Sequence, residues 1–155
     1  MHKVTTRKGR ILGNLGRYRA CLNALKPDLL LTYNWGAIEW GMANWLFPVC
    51  PHVHLESGFG PEEARGQARR RVLTRRLVLK HCRALVVPSF QLARLASEEW
   101  RVDPSIVRHI PNGVDCARFA ASAAGANPGF VKRRGEKIVG TLAPLRPEKN
   151  LGRLI

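Results

Sequence analysis

Negative charge is scarce in this chain. Asp and Glu together number 11 against 26 Lys and Arg, a formal net charge of +15 over 155 residues. Such an excess speaks of partners, namely nucleic acid, an anionic membrane surface or phosphorylated ligands, and not of fold. Cysteines are few and scattered: Cys21, Cys50, Cys82 and Cys116 form no CxxC pair. That spacing excludes a zinc ribbon and fits reduced, partly buried thiols. No paired-aspartate motif points to a metal, and neither metal nor other cofactor is expected. Long apolar runs are also missing. The most apolar stretch, Leu29 to Leu55, is broken by Asn34, Glu39, Asn44, Pro48 and Pro51, so nothing in it would span a bilayer. The opening residues Met1-His2-Lys3-Val4 lack the pattern of a secretory leader. The expected location is cytoplasmic, with peripheral contact at the inner face of the cell membrane. No internal repeat is visible.

What is present alternates between two periods. Leu15, Tyr18, Leu22 and Leu25 recur at helical spacing until Pro27 stops them. Asp28 to Tyr33 reads as a buried strand, Gly36 to Phe47 as a helix packed on several sides, and His52 to Leu55 as a short strand. Gly58-Phe59-Gly60 is a loop. Pro61 suits a first helical position, and Glu62 and Glu63 suit the positive end of a helix dipole, which predicts a helix from there to about His81. Ala84 to Val87 is a further strand, Ser89 caps a helix carrying Leu92, Leu95 and Ala96, and Ile106 to Ile110 is a last strand. This order predicts an α/β fold built of βαβ units, with a parallel sheet covered on both faces and ligands at the carboxyl ends of its strands. Composition then shifts to small and turn-forming residues around Ala120 to Gly129, which reads as a linker. Lys137 to Leu142 looks like a new strand, and Leu151 onward like the first turn of a helix.

Two strand ends carry candidate chemistry. His52-Val53-His54-Leu55-Glu56-Ser57-Gly58 leaves a strand and enters a glycine loop. Residues there face the cleft of such sheets. His54 suits hydrogen-bond donation or proton transfer near neutral pH, with Glu56 placed to orient it; a strand-end histidine satisfied by backbone is the alternative. Tyr33-Asn34-Trp35 also ends a strand. There Asn34 suits hydrogen bonding to a ligand hydroxyl and Trp35 stacking on a ligand face. Trp40 and Trp45, five residues apart, read as core. Eight cations, Arg65, Arg69, Arg70, Arg71, Arg75, Arg76, Lys80 and Arg83, load one helix and its end. Ala64, Ala68, Val72 and Leu79 form a stripe on it that Arg76 interrupts. A solvated face and docking on anionic lipid both fit; nucleic acid fits less well, because no aromatics interleave with the arginines. Asn112-Gly113 is by itself a turn signal.

The last third carries a more specific pattern. Ile110-Pro111-Asn112-Gly113-Val114-Asp115, with Phe119 just beyond, precedes Ile138-Val139-Gly140-Thr141-Leu142 and Arg146-Pro147-Glu148-Lys149-Asn150. This pair of motifs resembles the domain crossing of retaining GT-B glycosyltransferases of family 4, and the resemblance runs from about Leu15 to Ile155. It implies an incomplete Rossmann-like parallel sheet with flanking helices over 1–116, a linker over 117–136, and over 137–155 the first strand and loop of a second Rossmann-like, nucleotide-sugar domain. Asn112, Gly113 and Asp115 would mark the crossing. The donor would be a nucleotide-diphosphate sugar and the acceptor a saccharide or lipid-linked molecule. Lys149 matches a lysine that relatives place on the donor phosphates. Pro144 stands where relatives carry an arginine, and Arg146 is the nearest substitute. His54 and Glu56 match a His-x-Glu-His-Gly pattern whose second histidine is replaced by Ser57, before Gly58. The resemblance further implies a fragment that does not transfer sugar alone. The competing expectation is a small basic module that binds nucleic acid or an anionic surface without catalysis.

Overall fold

The computed structural model describes residues 4–6, 10–60, 63, 66–120, 133–145 and 149–154. They fall into two units, 1–112 and 113–155.

The first unit holds four parallel strands in the order β1-β2-β3-β4: Leu30–Tyr33, His52–Leu55, Ala84–Val87 and Val107–His109. Helix α1 spans Ile11–Leu25 and precedes the sheet. It ends where Lys26 turns left-handed at φ 44° and returns its N–H to Leu22, just before the Pro27 that stops the helical pattern. Helix α2, Ile38–Leu46, follows a short 3-10 turn at Trp35–Ala37. Helix α3 is Arg69–Leu79, and α4 is Phe90–Glu98. As expected, Ser89 caps α4, accepting from the Leu92 N–H at 3.2 Å.

The main core lies between sheet and helices: Ile38 from α2, Val78 and Leu79 from α3, Leu85 and Val87 from β3, Leu92 and Ala96 from α4, and the fully buried Trp100. Helices α2, α3 and α4 therefore sit on one face, the face of Thr32, His52, His54, Leu85 and Val87. The expectation of cover on both faces fails among the described residues: on the opposite face Leu31 is 62% and Tyr33 57% exposed. The reason is topological. Strands that follow one another in sequence order, joined by right-handed crossovers, place every connecting helix on the same side. Covering the second face requires a reversal of strand order, and these four strands contain none. Helix α1 packs instead on the outside of α2, where Tyr18 meets Trp40 at 4.3 Å between ring centroids.

Helix α2 approaches the sheet closely at Gly41. A Cβ there would lie 2.5 Å from His52 Cε1 and 3.2 Å from Val78 Cγ1, so only glycine lets this helix rest on β2. Helix α3 also begins later than the expected start at Pro61. Gly66 takes φ +133°, outside any helix, and Ala68 is still extended. Pro61, Glu62 and Arg65 lie outside the described residues. Glu63 does not serve a helix dipole; it turns inward to pair with two arginines of α3.

The second unit contains a short helix, α5, at Cys116–Ala120 and a 3-10 turn at Leu151–Arg153. The strand expected at Lys137 to Leu142 is absent. Val139 is 79% exposed and Leu142 fully so, and a strand without a neighbour leaves its ladder of N–H and C=O groups unpaired, so propensity alone does not hold it.

Candidate active site

The carboxyl ends of β1 and β2 are tied together through Asn34. Its backbone adopts φ 53°, ψ −174°, a region that side chains other than glycine populate at a cost of about 1–3 kcal/mol. Three hydrogen bonds hold it there. Its N–H donates to Leu55 O at 2.8 Å, its C=O accepts from Ala37 at 3.2 Å, and its side-chain Oδ1 accepts from the Ser57 N–H at 2.7 Å. Ser57 is exposed, and Gly58 beside it takes φ +137°. Asn34 and Ser57 thus meet at adjacent strand ends, where the sequence placed a cleft. A hollow of about 250 Å³ opens at Gly58, lined also by Phe59, Ser89, Gln91, Leu92 and Leu95.

His54 and Glu56 lie beneath this rim and do not face it. Both are buried, at 0% and 1% exposure, because His54 points to the helix-covered face of the sheet. His54 Nδ1 is 2.6 Å from Thr32 Oγ1, and its Nε2 is 3.8 Å from Glu56 Oε2. The same Thr32 hydroxyl is 2.7 Å from His52 Nε2, whose Nδ1 in turn is 3.2 Å from Cys82 Sγ. Burial, and then the neighbouring His54, lower the His52 pKa to about 4. Burial pushes the Cys82 thiol up to about 12. His54 Nε2 and Glu56 Oε1 are buried polar atoms without a hydrogen-bond partner among the described residues, a state uncommon enough to mark a site.

Arg75 closes the floor. It is 1% exposed. Its Nε donates to Glu56 Oε2 at 3.2 Å, Nη1 to Glu63 Oε1 at 3.1 Å and to Gln67 Oε1 at 3.2 Å, and Nη2 to Glu63 Oε2 at 3.3 Å. Gln67 accepts a second bond from Trp100 Nε1 at 2.7 Å. Three rings surround the guanidinium at 5.0–5.3 Å: Trp100, Phe59 and Trp35, within cation–π range. Arg71 also stacks on Trp35 and pairs with Glu63 at 2.8 Å. Burial raises the Glu63 pKa, but hydrogen bonds from Arg75 and Arg71 outweigh it, and the net direction is down. Trp35, read as a platform for a sugar, thus has a ring occupied by two guanidiniums.

Other expected site residues are placed as follows. Lys149 is exposed in the second unit, and Arg146 lies outside the described residues. Asn112 and Gly113 are exposed and form no turn. Asp115 caps α5, accepting from the Arg118 N–H at 3.0 Å. Among the described residues no three His, Cys, Asp or Glu side chains gather as metal ligands. A larger hollow, of about 640 Å³, opens at the amino ends of β2 and β3 between Trp45, Cys50, His81 and Arg83. We place the site at the carboxyl ends nonetheless, because the strained Asn34 and the unpartnered buried atoms are there.

Sequence reasoning missed Thr32, His52, Gln67 and Arg75. One signal was available for Arg75: Val72, Arg75 and Leu79 keep i+3 and i+4 steps, which puts Arg75 on the inward face of α3. Arg76, expected to interrupt it, is half-buried and donates to Glu99 O at 2.7 Å.

The family model of Glycosyltransferase Family 4 matches residues 2–118. No curated protein matches the chain. Among solved structures, a glycosyltransferase from Rickettsia africae ESF-5 superposes with a TM-score of 0.51 at 16% identity, over 83% of this chain and 32% of that one. That identity speaks for a shared fold, and the chain spans about a third of that enzyme's length. With a Rossmann-like parallel sheet, helices packed on it and a family match over most of its residues, the chain belongs to glycosyltransferase family 4.

Proposed function

We propose that this chain supplies the acceptor side of an enzyme that moves a sugar from a nucleotide-diphosphate sugar to a saccharide or lipid-linked acceptor, with retention of anomeric configuration. The observation that carries the reading is Asn34. A strained, non-glycine residue whose side chain locks one strand end to the next is the kind of local cost that binding sites retain. Asn34, Ser57 and Gly58 form the acceptor rim; Trp35 braces it from beneath with Arg71 and Arg75. His54 and Glu56 act from below the rim on the sugar-binding groups. Residues 1–116 correspond to the acceptor-side domain, 117–136 to a linker and 137–155 to the start of the donor domain, with Asn112, Gly113 and Asp115 at the crossing. Lys149 and Arg146 meet the donor diphosphate, where cations stabilise the charge that grows on the leaving group.

The arginines of α3 divide between two tasks. Arg71 and Arg75 are turned inward, while Arg69, Arg70 and Lys80 remain exposed and suit anionic headgroups at a membrane surface. No described helix is long and apolar enough to cross a membrane.

The test is a titration of the 15N-labelled chain with nucleotide-diphosphate sugars and oligosaccharides, and separately with RNA and DNA. The expected result is movement of the Asn34, Trp35, Ser57 and Gly58 amide signals with the sugars. Stationary signals there, together with nucleic-acid binding of steep salt dependence centred on α3, would support the basic binding module instead.

A further inference from the structure

Beneath the rim runs a chain of polar groups of which the proposed function uses only His54 and Glu56: Cys82, His52, Thr32, His54 and Glu56, each within 2.6–3.8 Å of the next. All five side chains are buried. Thr32 fixes how the chain is wired. A hydroxyl carries one hydrogen, so one of the two imidazoles flanking it accepts that hydrogen while the other donates to its oxygen. With one proton on each imidazole, two wirings satisfy this. In the first, Cys82 S–H donates to His52 Nδ1, His52 Nε2–H donates to Thr32 Oγ1, Thr32 O–H donates to His54 Nδ1, and His54 Nε2–H points at Glu56. In the second every bond is reversed, and the lone pair of His54 Nε2 points at Glu56.

The far end decides between them. Glu56 is held by the buried guanidinium of Arg75 at 3.2 Å and acts as an acceptor. An N–H facing a carboxylate is attracted; a lone pair facing it in a buried site is repelled. Cys82 at the near end suits the same wiring, since a thiol donates and, with its pKa pushed up to about 12, keeps its proton at neutral pH. His52, with a pKa of about 4, is neutral there as well.

We infer that Thr32, His52 and Cys82 are positioning residues that fix His54 as the Nε2–H tautomer, so that it presents a hydrogen-bond donor toward Glu56. His54 thus serves as a donor and does not accept a proton at Nε2. The groups facing it are His52, Thr32 and the Glu56–Arg75 pair. This deepens the role given to His54 under the proposed function and rests on that reading only for what the tautomer serves. The wiring itself is measurable without any sugar, so the two fail separately.

The experiment is long-range 1H–15N correlation of the imidazoles in the whole chain, labelled at histidine, at pH 7. The expected result is a proton at Nε2 and a bare Nδ1 on both His52 and His54, with that form favoured about tenfold or more over the reversed tautomer, as for a hydrogen-bond preference involving a charged group. In E56Q the side-chain amide offers a donor as well as an acceptor. The reversed wiring then gains population, and His52 and His54 shift together toward Nδ1–H. In the E56Q/T32V double variant His54 still shifts but His52 no longer follows, whereas E56Q/T32S keeps the two coupled. Finding Nδ1–H on His54 in the unaltered chain, or a shift of His54 without His52 in E56Q, overturns the inference. Should T32V not fold, the unaltered and E56Q spectra still decide it.

Discussion

Replacing Arg75 with alanine strips two buried carboxylates of their shared cation. Glu56 and Glu63 are each 1% exposed. Glu63 keeps Arg71 at 2.8 Å, while Glu56 loses its guanidinium partner. Removing one member of a buried pair costs about 3–5 kcal/mol, chiefly because the surviving charge stays in a poor solvent. The three rings around the guanidinium lose their contact as well. Against a domain stability of about 5–15 kcal/mol, Arg75→Ala is expected to bring the chain close to unfolding. Urea titration read by tryptophan fluorescence measures this directly, since Trp35 and Trp100 flank Arg75. With a slope of about 2 kcal/mol per M, the midpoint should fall by about 2 M. Arg75→Lys keeps the charge but not the fork that reaches Glu56, Glu63 and Gln67 at once, and should lie between. The triple change Arg75→Met, Glu56→Gln, Glu63→Gln removes charge from both sides and should recover much of the loss. The loss from Arg75→Ala should also shrink below about pH 4.5, the ordinary value from which Glu63 is lowered. There the stability that a depressed carboxylate contributes is itself being lost, as pH falls from 4.5 through the folded value. A cost under about 1 kcal/mol at pH 7, the size expected of an exposed ion pair, would refute the buried-hub reasoning.

Three further outcomes follow from the same geometry. His52 is depressed from 6.5 to about 4, so the unfolded chain binds the extra proton between those values; stability should be full above pH 6.5 and fall by up to about 3 kcal/mol toward pH 4, a slope that His52→Gln should flatten in pH-dependent urea titrations. Gly41→Ala drives a Cβ to 2.5 Å from a histidine ring pinned by Thr32 and Cys82, and should cost about 1–3 kcal/mol in thermal or urea unfolding. Ser89→Ala removes the cap of α4 and should cost about 1 kcal/mol by the same measurement.

Two of the strands were readable because they are short apolar runs bounded by proline: Leu30–Tyr33 after Pro27, Ala84–Val87 before Pro88. Which face they present was not readable, since coverage depends on strand order and crossover hand, and a run such as Ala84-Leu85-Val86-Val87 is apolar on both sides. The start of α3 misled for a related reason. Pro61 and two glutamates carry the local signature of a helix start, but Glu63 pairs with the buried Arg75 and the partly buried Arg71. Lys137 to Leu142 has strand composition, and composition does not supply the neighbour that a strand pairs with. At the candidate site, Asn34 and Ser57 were singled out from their position after strands. His54 and Glu56 were singled out in the same way, but pleat alternation turns His54 away from the rim, onto the face shared with Thr32. The hub around Arg75 joins residues from 56 to 100, and no local spacing encodes such a meeting.

The central claim is that a sugar binds at the carboxyl ends of β1 and β2, against Asn34 and Ser57. Photo-crosslinking with an oligosaccharide carrying a diazirine, followed by peptide mass mapping, tests it most directly. The account predicts label on the segments 34–37 and 57–60, reduced by excess unlabelled oligosaccharide. Label confined to the outer face of α3 or to the hollow at Trp45, Cys50 and His81 would contradict it.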